Sequence, residues 1–155
     1  MDKQDVKVHV TFENGSGECL WARQTDGDLY AIQNVPFRAF GLNHGDIVRA
    51  TTDGAELEVE RVVQPSGHMT MRLIFSEHIR GDAQQPYLDA IKKHGGQLER
   101  ADGSLVAVDV PDVSLWNAIV ALLESFEAAN VLHFETCQER QPGRFDAGDA
   151  PAVAM

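Results

Sequence analysis

The chain has 155 residues, of which 43% are hydrophobic and 24% charged, an ordinary composition for a globular protein. Its formal net charge is −11 and its 13 Lys and Arg residues are scattered, so it lacks the basic face that nucleic acids or an anionic membrane would require. This length allows one domain or two small ones.

The first half of the chain has the pattern of short β-strands. Val6, Val8 and Val10 alternate with polar residues, and further apolar runs lie at 19–22, 29–32, 47–51, 57–63 and 69–75. Asp-Gly steps at Asp26 and Asp53 are typical of tight hairpins, because Gly adopts positive φ at little cost. Strands at this spacing predict a small antiparallel β barrel or a strongly bent sheet.

The second half mixes helical and strand patterns. We expect a strand at 69–75, a helix at 86–94 and a hairpin of strands 97–100 and 105–110, with its turn at 101–103. A second helix follows a cap at Asp112 or Ser114, and a strand at 131–137 ends the unit. The order strand, helix, strand, strand, helix, strand is that of a ferredoxin-like module, so the fold class predicted is α+β.

The second helix carries an apolar stripe. Its members recur at spacings of three and four, which predicts one buried face: Leu115, Ile119, Leu122, Leu123 and Phe126. Leu122 and Phe126 lie one turn apart on this stripe. We therefore expect Leu122 to be a core residue.

These patterns divide the chain into three parts. Residues 1–67 are predicted to be an antiparallel β module, 68–138 a ferredoxin-like module and 139–155 a disordered tail rich in Gly, Pro, Asp and Ala. Cys19 and Cys137 are far apart and form no C-x-x-C pair, which is typical of reduced structural thiols. The N-terminal residues have no apolar signal segment, so we expect a cytoplasmic protein.

Several segments resemble a bacterial family of unknown function, the one numbered 4265. They are Glu18-Cys19-Leu20-Trp21-Ala22, 29–37 with its Asn-x-Pro-Phe end, Gly45-Asp46-Ile47-Val48, 66–72 and Phe134-Glu135-Thr136-Cys137. The resemblance covers roughly residues 6–138. It implies a small stand-alone bacterial protein and no particular activity. Small proteins of this kind are often immunity or antitoxin partners, an association and not a physical argument.

Three short segments invite functional interpretations, each with a simpler alternative. Residues 34–37 are either a binding loop or a structural turn that places Phe37 and Phe40 in the barrel, and we favour the turn. Ser66 lacks the strand–helix elbow of a nucleophile, so a turn between two strands explains 65–67 without chemistry. His133, Glu135 and Cys137 alternate on one strand, but spread over about 13 Å they cannot share one ion unaided. An Arg72–Glu135 ion pair is the simpler use of that carboxylate.

Residues 101–139 contain no Lys or Arg but many carboxylates. A field of one sign attracts basic protein surfaces. We expect a partner-binding surface made of Asp109, Asp112, Trp116, Glu124, Glu127 and Glu135, although core is the favoured position for Trp116 and a solvated face is the simpler interpretation of the carboxylates.

The function predicted first is an immunity or antitoxin-like inhibitor of a basic bacterial toxin, with no catalytic residue, metal or cofactor. The alternative is a regulatory small-ligand-binding module of ferredoxin-like type. A third hypothesis is an enzyme whose site is formed by His68, Arg72, His133 and Glu135.

Overall fold

The computed structural model describes residues 5–12, 15–101 and 105–137. Within these ranges the chain is mixed α+β, with a closed five-stranded barrel followed by a four-stranded sheet and two helices. The tail predicted to be disordered, 139–155, and Asp102 of the predicted turn lie outside the described residues. Of the helices in the described ranges, none combines the length and apolar character needed to cross a bilayer.

The barrel consists of five strands: β1 (Asp5–Thr11), β2 (Gly17–Asp26), β3 (Leu29–Ile32), β4 (Ile47–Asp53) and β5 (Glu56–Gln64). Each strand pairs antiparallel with the next, and the Asp-Gly steps at Asp26 and Asp53 lie at the β2–β3 and β4–β5 turns as predicted. The closing pair, β1 with β5, is parallel. An odd number of strands in an up-and-down order runs the first and last in the same direction, so closure of this barrel requires one parallel contact.

The barrel interior is filled by alternate residues of its strands. Val8 and Val10 of β1 and Leu20 and Ala22 of β2 are buried, and the residues between them are exposed or half-buried. This alternation follows from the strand geometry, in which successive side chains point to opposite faces. The period-two pattern of the sequence therefore identifies the interior residues of β1. In β2 the apolar run 19–22 is continuous, and only the structure selects Leu20 and Ala22 as interior and leaves Cys19 and Trp21 exposed.

The second unit has the predicted order of elements: β6 (Met69–Phe75), α1 (Gln85–Lys93), β7 (Gln97–Arg100), β8 (Leu105–Val110), α2 (Trp116–Ala128) and β9 (Leu132–Thr136). Its strands lie in the order β7-β8-β6-β9, and all three pairs are antiparallel. Turns of 3₁₀ helix precede both α-helices.

Both helices pack on one face of this sheet. Met71, Leu73 and Phe75 of β6 point into a core that α1 enters with Leu88 and Ile91 and α2 with Ile119 and Leu123. The centre of the α2 stripe is thus the pair Ile119 and Leu123. Leu122 and Phe126 are half-buried and flank this core, so the expectation that Leu122 is a core residue is corrected to a position at its edge.

Side-chain and backbone hydrogen bonds fix both ends of the segment that carries α2. Asp112 accepts a bond from the Ser114 N–H at 2.9 Å, which makes Asp112 the cap among the two predicted candidates. Asn130 has φ of 62° just past the helix end. The N–H groups of Asn130 and Val131 donate to the carbonyls of Glu127 and Phe126, the bonding pattern of a Schellman motif.

The opposite face of the second sheet is polar and meets the barrel. Thr70 and Arg72 alternate with the core residues of β6, and Asp109 lies opposite Thr70 on β8. These three side chains are buried even though they are polar. Buried polar groups require partners. The connection between β3 and β4, residues 33–46, supplies many of them.

Candidate functional site

We call the contact between the barrel and the polar face of the second sheet the junction. Arg72 lies at its centre and is 1% exposed. Its Nε donates to the Pro36 carbonyl at 3.3 Å and its Nη1 to the Arg38 carbonyl at 3.2 Å. Its Nη2 donates to the Ala39 carbonyl. The guanidinium also stacks over the Phe40 ring, 5.0 Å from the centroid. Because a guanidinium is a planar fork of donors, one Arg can hold several carbonyls of one segment.

The Glu18 carboxylate holds the N–H groups of the same segment. It accepts hydrogen bonds from the backbone of Phe37 at 2.7 Å, Arg38 at 3.2 Å and Ala39 at 3.0 Å. Bonds to an ionised acceptor are stronger than neutral ones. Glu18 and Arg72 thus fix the donors and the acceptors of one short segment.

Glu99 of β7 secures the start of that segment from the second unit. Its carboxylate accepts from the Val35 N–H at 2.6 Å and from the Asn34 side-chain amide at 3.2 Å. The Asn34 amide oxygen accepts in turn from the Trp21 N–H at 2.6 Å. Residues 34–37 therefore have a structural role, the simpler of the two interpretations of their sequence. Phe40 stacks on Arg72 and does not fill the barrel.

Two histidines and an aspartate meet at the edge of the junction. His44 lies between β3 and β4, His68 immediately precedes β6, and Asp109 belongs to β8. Nδ1 of His68 donates to the two Asp109 carboxylate oxygens at 2.9 and 3.0 Å, and the rings of His44 and His68 are 5.2 Å apart. One ligand atom from each of the three residues lies within 4.8 Å of the others.

Asp46 and Ser66 hold the backbone around both histidines. The Asp46 carboxylate accepts from the N–H groups of Asn43 and Ser66, each at 2.8 Å. The Ser66 hydroxyl donates to the His44 carbonyl at 2.7 Å and accepts from the His68 N–H at 3.1 Å. Ser66 therefore serves as a structural bridge, in agreement with the turn interpretation of 65–67.

Gly45 makes this close approach possible. Its φ is +85°, and a Cβ on it would lie 3.1 Å from the Cβ of Ser66. A larger residue would be strained by the backbone conformation and would crowd Ser66 as well. Gly45 thus lets the connection carrying His44 lie against the turn carrying His68.

Burial alters the titration of both aspartates at the junction. Desolvation raises the pKa of Asp109, opposed by the hydrogen bond and the charge of His68. Desolvation likewise raises the pKa of Asp46, opposed by hydrogen bonds from Ser66 and Asn43. Their charged forms depend on these hydrogen bonds, because a buried carboxylate without partners is costly.

The residues expected to form a partner surface differ in how far they are exposed to solvent. Asp112 and Glu124 are exposed, and Glu127 is half-exposed while it accepts from the Phe134 N–H at 3.3 Å. Asp109 is 0% exposed, so the expectation that it lies on a partner surface is corrected. Its carboxylate is occupied by His68 and offers nothing to a partner at α2.

Glu135 and Trp116 are both half-buried. Glu135 lies opposite Arg72 in the strand register, with 3.8 Å between Nη1 and Oε1, so the predicted ion pair is present. Trp116 packs against the core of the second unit, as the favoured interpretation held. Beside it, Val113 is 71% exposed, an apolar surface residue that the sequence did not single out.

His133, Glu135 and Cys137 do not converge on one point. His133 lies 3.8 Å from Glu127, and Cys137 is buried. Burial raises the pKa of the Cys137 thiol to about 12. In the described ranges, the sets of side chains close enough to hold one ion are His44–His68–Asp109 and His9–Glu56–Glu58.

The structure also separates the residues of the enzyme hypothesis. His133 pairs with Ile74, six positions along β6 from His68, a distance of about 20 Å at the usual rise per residue. Arg72 lies between them with its donors on backbone carbonyls. These residues therefore do not form one site.

Sequence reasoning missed four groups of the junction. They are His44, Glu99, the buried carboxylate of Asp46, and Glu18, which accepts hydrogen bonds from the backbone at 37–39. His68 and Asp109 are 41 positions apart, and no spacing rule predicts their contact. The signal that could have found this site is the resemblance itself. Its segments supply Glu18, Asn34, Asp46, Ser66 and Arg72, and all of them meet at the junction.

A shallow groove of about 900 Å³ lies at the far end of β6. Its walls include Ser76, Glu77, Arg80, Asn130 and His133. This mixture of charged and polar groups is open to solvent at the sheet end opposite the histidine cluster.

Fold and junction together define a class: a small α+β protein in which a barrel covers the polar face of a helix-backed sheet. The family model described as "Domain of unknown function (DUF4265)" matches residues 18–134, and the chain belongs to this family. A solved structure of a hypothetical protein from Neisseria gonorrhoeae is similar, with 21% identity and a TM-score of 0.71. The match covers 89% of this chain and 96% of that one and shows a shared fold. No curated protein matches the chain.

Proposed function

We propose that this protein is an acidic protein-binding module, most concretely an immunity or antitoxin-like inhibitor that binds and blocks a basic bacterial toxin. The observation that carries the proposal is that Asp112 and Glu124 are exposed and Glu127 is half-exposed, within a stretch that has no Lys or Arg between Arg100 and Arg140. Carboxylates on the surface of a stretch without Lys or Arg steer a cationic surface towards this face and raise its association rate.

An apolar anchor adjoins these carboxylates. Val113 follows Asp112 directly and is 71% exposed, and the half-buried Trp116 lies one turn later. Desolvated anchors carry most of the affinity of an interface, whereas exposed charges set rate and specificity. The start of α2 would therefore be the centre of contact, with Glu124 and Glu127 towards its rim.

The dimensions of this surface suit one partner. Asp112 and Glu124 are twelve positions apart, through a 3₁₀ turn and then α2, or about 20 Å at the usual rises per residue. A standard interface buries about 800 Å² on each side, enough to cover that length. A single basic protein could therefore contact both carboxylates.

The test compares two triple variants of equal charge. Asp112→Asn, Glu124→Gln and Glu127→Gln remove three negative charges from the proposed surface, while Asp26→Asn, Glu60→Gln and Asp82→Asn remove three from other exposed positions. The probe is the polypeptide encoded immediately upstream of the gene, with binding followed by stopped-flow fluorescence from 0.01 to 0.15 M salt. The Debye length falls from about 30 to about 8 Å over this range.

We expect the first triple variant to associate more slowly than the wild type, with a flatter salt dependence, and the control variant to change less. Both should remain folded because exposed charges contribute little to stability. Equal rates for the wild type and the first variant would contradict the proposed surface. An upstream polypeptide that does not bind would remove the immunity assignment.

We also infer that the second unit is a ferredoxin-like domain, which is supported by its element order and its strand order β7-β8-β6-β9. Such domains often bind ligands through an open sheet face, but here the barrel connection covers that face. The regulatory alternative therefore depends on the groove beside Arg80 and His133. Isothermal titration against metabolites, together with light scattering, separates it from the protein-binding proposal.

A further inference from the structure

We propose that His44, His68 and Asp109 form a binding site for a divalent transition-metal ion such as Zn²⁺. The proposal does not depend on partner binding at α2, because the three residues lie at the junction of barrel and sheet. Two imidazoles and one carboxylate form a ligand set suited to such ions. Three protein ligands leave a fourth position for water or another group.

The distances are close to those that an ion needs. Ligand atoms bound to zinc at about 2.0–2.2 Å in a tetrahedron are about 3.4 Å apart. Those of the three residues lie within 4.8 Å of one another, and Nδ1 of His68 is already 2.9 Å from Asp109. The ion would replace the proton that His68 now shares with the carboxylate.

One ring nitrogen of His44 has no hydrogen-bond partner among the described residues. This atom, Nδ1, is buried. A buried polar atom without a partner is destabilising by roughly 1–3 kcal/mol. An ion bound by His44 would supply the ring with an interaction that the described protein groups do not provide.

The supporting residues hold the ligands in position. Ser66 bonds to the backbone of both histidines, and Asp46 fixes Ser66 and Asn43. Beyond them, Thr70 donates to the Asn43 side chain at 2.6 Å. A rigid outer layer of this kind keeps metal ligands in the geometry needed for binding.

The other candidate set, His9–Glu56–Glu58, lacks these features. The Glu56 side chain is 63% exposed, and the Glu58 oxygens already accept from His9 at 2.9 Å and from the Thr11 N–H at 3.0 Å. Exposed acidic groups of this kind are well solvated without an ion. His9 therefore provides the matched control.

Binding at the junction would join the two units. His44 belongs to the barrel connection and Asp109 to the second sheet, so one ion would cross-link them. An ion that binds only the folded state raises the thermal midpoint. Such a shift should accompany Zn²⁺ binding and should disappear when the site is removed.

The experiment titrates the full chain with ZnCl₂ by calorimetry and by thermal unfolding. His44→Gln removes a ligand whose Nδ1 has no partner within the described part of the chain, and it leaves the backbone carbonyl that Ser66 uses. We expect one ion per wild-type chain, an affinity at least about tenfold weaker in His44→Gln, and no change in His9→Gln. The rise in thermal midpoint with Zn²⁺ should be lost in His44→Gln alone.

A readout on the wild type avoids reliance on variant folding. Zn²⁺ should protect His44 and His68 from diethylpyrocarbonate, read by mass spectrometry, while His78 and His94 remain reactive. Absence of saturable binding, full affinity in His44→Gln, loss of binding in His9→Gln, or equal reactivity of His44 with and without Zn²⁺ would each overturn the proposal.

Discussion

At the scale of single residues, the fate of a carboxylate depends on what lies opposite it. Asp112 and Glu124 are exposed, whereas Asp46 and Asp109 are buried and hydrogen-bonded. Each of the four has an apolar residue directly beside it in the sequence, a pattern that suits either a solvated face or a paired interior position. The number of acidic residues in the sequence is therefore larger than the number of carboxylates that a partner can reach.

The two cysteines provide a test at this scale. Cys137 is 3% exposed and burial raises the pKa of its thiol to about 12, whereas Cys19 is exposed. Because the thiolate is the reactive form, we expect iodoacetamide at pH 8 to modify Cys19 and to spare Cys137 until the chain unfolds. Peptide mass mapping in buffer and in urea measures this, with Cys19→Ser as the control.

The same pKa shift gives a pH dependence. The folded chain keeps the Cys137 proton above pH 9.0, the ordinary value, while the unfolded chain releases it. The folded state then binds more protons, so this residue's contribution to stability falls as pH rises from about 9 towards 12. Equal alkylation of both cysteines in the native protein would contradict the burial and the shift together.

At the scale of elements, the helices and strands follow local signals closely. The structure has β6, β7 and β8 at the predicted positions, and α1 begins and ends within one residue of its prediction. The phase of α2 is less well predicted. Five apolar residues at spacings of three and four define a broad stripe, and only packing against the sheet selects Ile119 and Leu123 as its centre.

This phase can be tested by truncating neighbouring leucines. Leu123→Ala should cost about 2–5 kcal/mol because the side chain is fully buried, and Leu122→Ala should cost at most about half as much because its side chain is half-exposed. Urea denaturation of both variants measures the difference. A larger loss for Leu122→Ala than for Leu123→Ala would show that the helix is rotated from the position described.

At the scale of the whole molecule, two apolar cores are joined through a polar layer. The barrel core and the helix-backed core share no residue, and Arg72 connects the segment at 36–39 to the second sheet. A buried cation holding backbone carbonyls gives the contact a defined geometry. It also makes the contact sensitive to the loss of one side chain.

Arg72→Met should loosen this junction. It leaves the carbonyls at 36–39 without their donors and the Glu135 carboxylate without its counter-charge, which should cost about 3–5 kcal/mol. Trypsin should then cut after Arg38 much faster than in the wild type. Arg23→Met, which removes an exposed ion pair with Asp5, is the control and should change neither stability nor cleavage appreciably. Unchanged cleavage at Arg38 in Arg72→Met would show that the segment is held by other contacts.

The sequence by itself determined the local structure of this protein. Alternation identifies the inward residues of β1, Asp-Gly steps mark hairpins, and Asp112 marks the start of the segment that contains the second helix. These features depend on backbone sterics and on neighbours within a few positions. They can therefore be predicted before any long-range contact is known.

Only the tertiary structure decided the junction. The contacts of Arg72 with 36–39, of Glu99 with Val35 and of His68 with Asp109 each join segments far apart in the chain. Their existence depends on how the barrel is placed on the second sheet, and no periodicity within one strand or helix encodes that placement. For this reason Asp109, which the sequence assigned to a partner surface, is a buried partner of His68.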